Sequence, residues 1–103
     1  MYLSDLCTLT ADLNKELRLF FEIEKNTKTP ITNFNMVPAT GLVFSTALGK
    51  QKALKLGEVP VLFHDSAAPV TVFIQYAGHN YPVLGYRIIA NGLVFNGLAL
   101  QSS

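Results

Sequence analysis

Charge is what this 103-residue chain has least of: charged side chains make up 15% of it, against about 25% in an ordinary globular domain. The formal net charge is +1, so there is no global field to gather nucleic acid, acidic lipid or an anionic substrate. Cysteine is almost absent too. The single Cys7 excludes an intrachain disulfide and fits a reducing compartment, or an assembly held together in some other way.

Targeting and membrane signals are missing. The N-terminus lacks a basic n-region, and Asp5 and Asp12 interrupt the apolar residues that follow, so no secretory signal peptide is visible. No N-x-[ST] acceptor occurs. The longest uncharged window, residues 66–86, contains Pro69, Gln75, Gly78, His79, Asn80 and Pro82, too polar and too helix-breaking for a membrane span. The chain reads as a soluble protein.

Catalytic and cofactor motifs are equally scarce. His64-Asp65-Ser66 holds the residue types of a hydrolase triad, but a nucleophile, base and orienting acid must converge from separate segments, and consecutive side chains on an extended chain point apart. The simpler reading is a strand end running into an Asp-Ser turn before Pro69. His64, His79, Asp65 and Cys7 show neither H-x-x-x-H nor C-x-x-C spacing, so no metal is expected. Gly49-Lys50 fails as a phosphate loop because Gln51 stands where a hydroxyl residue is required. No G-x-G-x-x-G or G-x-S-x-G is present. No cofactor is expected, and no enzyme.

What is present is half hydrophobic, 50% of residues, and punctuated by turns. One domain, residues 1–103, accounts for the length. Leu6, Leu9, Leu13, Leu17 and Phe20 recur at a mean spacing of 3.5 and predict an amphipathic helix over residues 4–16, with Ser4 as its N-cap. From Leu17 a period of two takes over: Leu17, Leu19, Phe21 and Ile23 alternate with Arg18, Phe20, Glu22 and Glu24, which predicts a half-buried strand. A helix continuing to Glu24 is the alternative.

Further strands are predicted at 31–37, 42–46, 59–64, 70–76, 83–90 and 93–100, between turn signals at 26–30, 38–41, 65–69, 78–82 and Asn91-Gly92. Asn91-Gly92 is read as a type I′ hairpin placing Ile89-Ala90 opposite Leu93-Val94. Asn96-Gly97 suits a bulge, a corner or a rival turn. The fold class is therefore mainly β: a small β-sandwich or partly open barrel of about seven short strands over residues 17–100, preceded by an N-terminal helix or arm over 1–16.

The distribution of charge is the functional clue. Eight of the fifteen charged residues lie in the first 25 positions, and Arg87 is alone among the last 38. Depletion of Lys, Glu and Asp with retention of aromatics and one Arg is the composition of a protein interface. The strands over 70–76, 83–90 and 93–100 are the expected contact surface, with Phe73, Tyr76, Tyr81, Tyr86, Arg87, Val94 and Phe95 as its residues. The competing explanation is that these strands fill the centre of the fold while the N-terminal region and loops supply the solvated surface.

Lys50, Lys52 and Lys55 form the cationic cluster, read first as a solvated loop and second as an anion contact beside Phe73, Tyr76, Tyr81 and Tyr86. The expected function is a non-enzymatic assembly subunit with other protein chains as partners, identical or different, and a homo-oligomer as the usual outcome. A virion component (capsid, decoration, spike or tail) is the particular form expected first, with a cytoplasmic location otherwise. The runner-up is a small binding module for single-stranded nucleic acid or glycan, which the low net charge disfavours.

Overall fold

The computed structural model describes residues 1–22, 28–46, 52–59 and 70–97. The chain forms one helix, α1 (Leu3–Thr10), and seven strands: β1 (Arg18–Glu22), β2 (Thr29–Pro30), β3 (Asn33–Val37), β4 (Gly41–Ser45), β5 (Val72–Tyr76), β6 (His79–Ile89) and β7 (Gly92–Gly97). These make one mixed sheet in the order β2-β1-β7-β6-β5-β4-β3. The pairs β1·β7 and β4·β5 are parallel, and the others antiparallel. The sheet curls into a half-barrel. Of the two architectures the sequence left open, this is the partly open barrel.

The curl follows from connectivity. The two edge strands β2 and β3 are successive pieces of one run of chain, separated by Ile31 and Thr32. Three residue steps span at most about 11 Å, so the opposite edges of a seven-stranded sheet must approach each other there. Ring contacts across the interior agree. Phe44 on β4 stacks on Phe95 of β7 at 5.5 Å, and the Phe21 ring on β1 meets Tyr76 of β5 edge-on at 5.7 Å. Each pair is three strands apart, about 14 Å in a flat sheet.

Period-two patterning places the core. In β1 the order is intermediate, buried, intermediate, buried, intermediate, with Leu19 and Phe21 on the concave side beside Leu93 and Phe95 of β7. The strand predicted from Leu17 onward is thus present, and the continuous helix is not; Ile23 and Glu24 lie outside the described residues. Leu42, Phe44, Val72, Ile74 and Val83 complete the concave face. Burying each such side chain contributes roughly 1.5–3 kcal/mol before the entropy cost of ordering the chain.

Helix α1 closes the concavity and is shorter than its leucine spacing predicts. It ends at Thr10, after which Asn14 turns the chain: its side-chain Oδ1 accepts from the Glu16 N–H at 2.9 Å, and its carbonyl accepts from Leu17. Such Asx turns compete with the helical ladder. The buried stripe is Leu3, Leu6 and Thr10, whereas Leu9 is exposed, so the predicted seam through Leu6, Leu9 and Leu13 is corrected. Ser4 is not the N-cap. Tyr2 holds that position, and no side-chain hydrogen bond caps it.

Residues 52–59 wedge the open side. Leu54 donates its N–H to the Ile31 carbonyl, and its own carbonyl accepts from Leu19, which splices this segment between β1 and the chain leaving β2. A single 3-10 turn (Leu56–Glu58) follows, and Leu56 and Val59 are buried in the core. Of the strand predicted over 59–64, residues 60–64 lie outside the described residues.

Two turns differ from their sequence signals. The type I′ geometry occurs at Ala77-Gly78, with φ of 52° and 81°, joining β5 to β6 so that Tyr76 faces His79. The predicted 78–82 connection is therefore a two-residue turn, and His79, Asn80, Tyr81 and Pro82 belong to β6. At the β6–β7 hairpin Ile89 faces Gly92 and Ile88 faces Leu93, so the turn sits one residue earlier than predicted and each partner shifts by two, and Asn91 and Gly92 do not have positive φ. Gly92 is there for space: a Cβ would lie 2.8 Å from Cε2 of Phe20.

Strand β6 carries a bulge between Val83 and Gly85, opposite Gly97 and Asn96; Asn96-Gly97 itself is regular β7 strand. A bulge inserts one residue and inverts the alternation. Tyr81, at an odd position, pairs with Ile74 on the core side of β5 and Val83 is buried in the core, while Tyr86, at an even position, pairs with Phe95. One eleven-residue strand thus serves both halves of the barrel.

Candidate interaction surface

The convex face is built by the residues that alternate with the core. On β1, Phe20 lies beside Val94 of β7, with the Lys28 ammonium 4.8 Å from its ring centroid. Arg87 of β6 pairs in register with Val94 and reaches across β7 to Glu22 of β1, donating from Nη1 to Oε1 at 3.3 Å and from Nη2 to Oε2 at 2.8 Å. Hydrogen bonding from Arg87 holds the Glu22 carboxyl below its ordinary value against the opposing effect of burial, and charge attraction acts in the same direction.

That arrangement relocates two of the expected contact residues. Val94 and Phe95 are both 0% exposed within the single chain. β7 is paired on both edges, by β1 and β6, its concave side is filled by the core, and its convex side is flanked by Phe20 and Arg87. It belongs to the centre of the fold, as the competing explanation held for all three strands, and a partner cannot reach it.

The remaining candidates divide by face. Tyr76, Tyr81 and Tyr86 are half-buried against the core, while Phe73 points to the convex side in a row with Val43 and Pro82. Tyrosines and Phe73 therefore do not form one stacking platform. Of the lysines, Lys50 lies outside the described residues and Lys52 is exposed. Lys55 is engaged by Glu16, Nζ to Oε1 at 3.1 Å. Arg18 is likewise committed, its Nη1 donating to the Ala53 carbonyl at 2.7 Å.

What remains exposed along β5 and β6, on both faces of the sheet, is nearly free of charge. Of the ten exposed residues in 70–97, Arg87 alone is charged, and Glu22 pairs with it. Gln75, His79 and Asn80 are polar, while Leu84 and Ile88 are apolar and 45% and 55% exposed. Leu84 sits at the bulge and, with Met1, Leu9, Thr8 and Asp5, lines a groove of about 450 Å³ between α1 and β6. A second groove of about 400 Å³ runs beside the β3–β4 turn, with Met36, Val37, Val70 and Thr71 among its walls. Sequence reading missed Leu84 and Met36; the available signal for Leu84 was the Val83-Leu84-Gly85 break in alternation.

Among the described residues no group of three or more His, Cys, Asp or Glu is placed to hold a metal ion. No buried side-chain nitrogen or oxygen among them lacks a hydrogen-bond partner, so none is left waiting for a ligand. Among them also, no helix is long and apolar enough to cross a membrane. The fold and surface together define a mainly β half-barrel with a charge-poor exposed strip along β5 and β6. Comparison with protein-family models, curated protein sequences and solved structures finds no match.

Proposed function

We propose that this chain is a non-enzymatic assembly subunit that packs against other protein chains through the exposed side of β5 and β6, and that the assembly is a virion, with the chain as a capsid, decoration, spike or tail component. The observation that carries the reading is the near-absence of charge there: of the six exposed residues on β5 and β6, Arg87 alone is charged, and it is paired with Glu22. Exposed positions are where Lys, Glu and Asp ordinarily collect. Replacing them by Leu84, Ile88 and neutral polar residues suits contact with another protein surface. The virion form rests on analogy with the demands on such subunits, which need small size, turn-rich strands and extensive contacts.

The anion-binding alternative has less beneath it, since Lys55 is paired with Glu16 and the tyrosines pack on the core. Native mass spectrometry at micromolar concentration tests the proposal. A stoichiometric oligomer is expected, and Leu84→Asp should lower its mass while leaving the circular dichroism spectrum unchanged. A wild-type chain that runs as a clean monomer removes the reading. Excess absorbance at 260 nm with salt-sensitive binding favours the nucleic-acid module instead.

A further inference from the structure

The sheet has two edges, and they are built very differently. β2 is two residues long, one of them Pro30, which has no N–H to offer, and Lys28 precedes it. Shortness, proline and flanking lysine are the devices by which proteins blunt an edge against pairing. β3 has none of them. Its five residues run in unbroken register with β4, from Asn33 opposite Ser45 to Val37 opposite Gly41, without a bulge. No charged residue occurs anywhere from Thr29 to Thr46, and among the described residues no strand lies beyond β3.

We infer that β3 is a docking edge for a second copy of this chain, paired antiparallel about a two-fold axis at Asn35. The inference rests on the assembly reading and names one of its contacts. Self-pairing suits this strand for three reasons. An isologous contact requires a surface complementary to itself, and an uncharged strand does not repel its copy, whereas like charges placed directly opposite destabilise a pair. Pairing about Asn35 sets Phe34 opposite Met36 of the second copy, covering a methionine that is 46% exposed. The added strand also continues a row already formed across four strands, Asn35, Val43, Phe73 and Pro82, so that this uncharged row extends over two chains.

Backbone hydrogen bonds supply the attraction, as in other cases of strand addition. Five paired residues lie at or below the small end of interface sizes, about 1,200 Å², so a micromolar dimer is expected. In the Leu84→Asp background, where the β6 surface is disrupted, native mass spectrometry should show twice 11.3 kDa. Adding Asn35→Lys or Asn35→Glu should each leave monomer, and mixing the two should restore the dimer. As a readout that does not depend on losing stability, Asn35→Cys in a Cys7→Ser chain should form a symmetric disulfide on oxidation, and Asn33→Cys should not. If the wild type assembles while Leu84→Asp alone is monomeric, or if the charge variants remain dimeric, the β3 contact is wrong and the assembly reading stands. If the wild type is itself a monomer, both fall.

Discussion

Replacing Phe95 by alanine tests the curl of the sheet most directly. Phe95 is wholly buried, lies between Phe21 of β1 and Tyr86 of β6 in register, and stacks on Phe44 of β4 across the interior. Truncating a buried phenylalanine costs about 3–5 kcal/mol in lost transfer energy plus the cavity left behind. A domain of this length is stable by about 5–15 kcal/mol in total. With a urea m-value near 2 kcal/mol/M, the midpoint should fall by about 2 M. Tryptophan is absent, so far-ultraviolet circular dichroism is the natural probe. Phe73→Ala on the convex face is the control and should cost about 1 kcal/mol. Combining Phe95→Leu with Phe44→Leu should reveal a coupling of about 0.5–1.5 kcal/mol. A midpoint shift for Phe95→Ala no larger than that of Phe73→Ala, with no coupling to Phe44, would refute an interior contact between β4 and β7.

Three further outcomes follow from the geometry. Val94→Asp should strongly destabilise the chain, because it buries a carboxylate whose neighbouring cation, Arg87, is already held by Glu22; a folded, merely dissociated variant by circular dichroism would place Val94 at an interface after all. Gly41→Ala should cost about 3 kcal/mol or more in a denaturant titration, since Gly41 has φ of 135° and a Cβ there collides with the Thr71 carbonyl oxygen; a neutral result would show that the β4–β5 approach is looser. Glu22→Gln should lower the melting temperature slightly near neutral pH, slightly because surface ion pairs contribute little. The folded-state pKa of Glu22 is depressed, so its contribution is complete above the ordinary value of 4.5 and is lost as pH falls through the lower folded value. The gap between wild type and Glu22→Gln should therefore close in acid, and a gap unchanged at low pH would contradict the Arg87 pairing.

The alternation from Leu17 to Phe21 made β1 legible, because a period of two has one meaning when one face is buried and the other carries Arg18 and Glu22. Asn91-Gly92 was legible as a hairpin but not in register: the dipeptide marks a turn, yet the space beneath Phe20 decides which residue must lack a Cβ. The Ala77-Gly78 turn gave weaker local notice, since alanine rarely takes positive φ and the pairing of Tyr76 with His79 holds it there. Asn14 likewise turns the chain after α1 has ended at Thr10, through a hydrogen bond that the leucine spacing did not register.

By itself, then, the sequence determined a mainly β fold with a leading helix, the alternation of β1 and the sparse charge of the final third. Those are local properties of composition and period. Only the tertiary structure decided which side of each strand meets water. β7 is enclosed because β1 and β6 both pair with it and Arg87 reaches Glu22 across it. β6 exposes Leu84 because a bulge inverts its alternation. Both edges fall on one nine-residue run, residues 29–37, which draws the two ends of the sheet together. Each depends on residues far apart in the chain, and a period of two says that the faces differ without saying what covers either one.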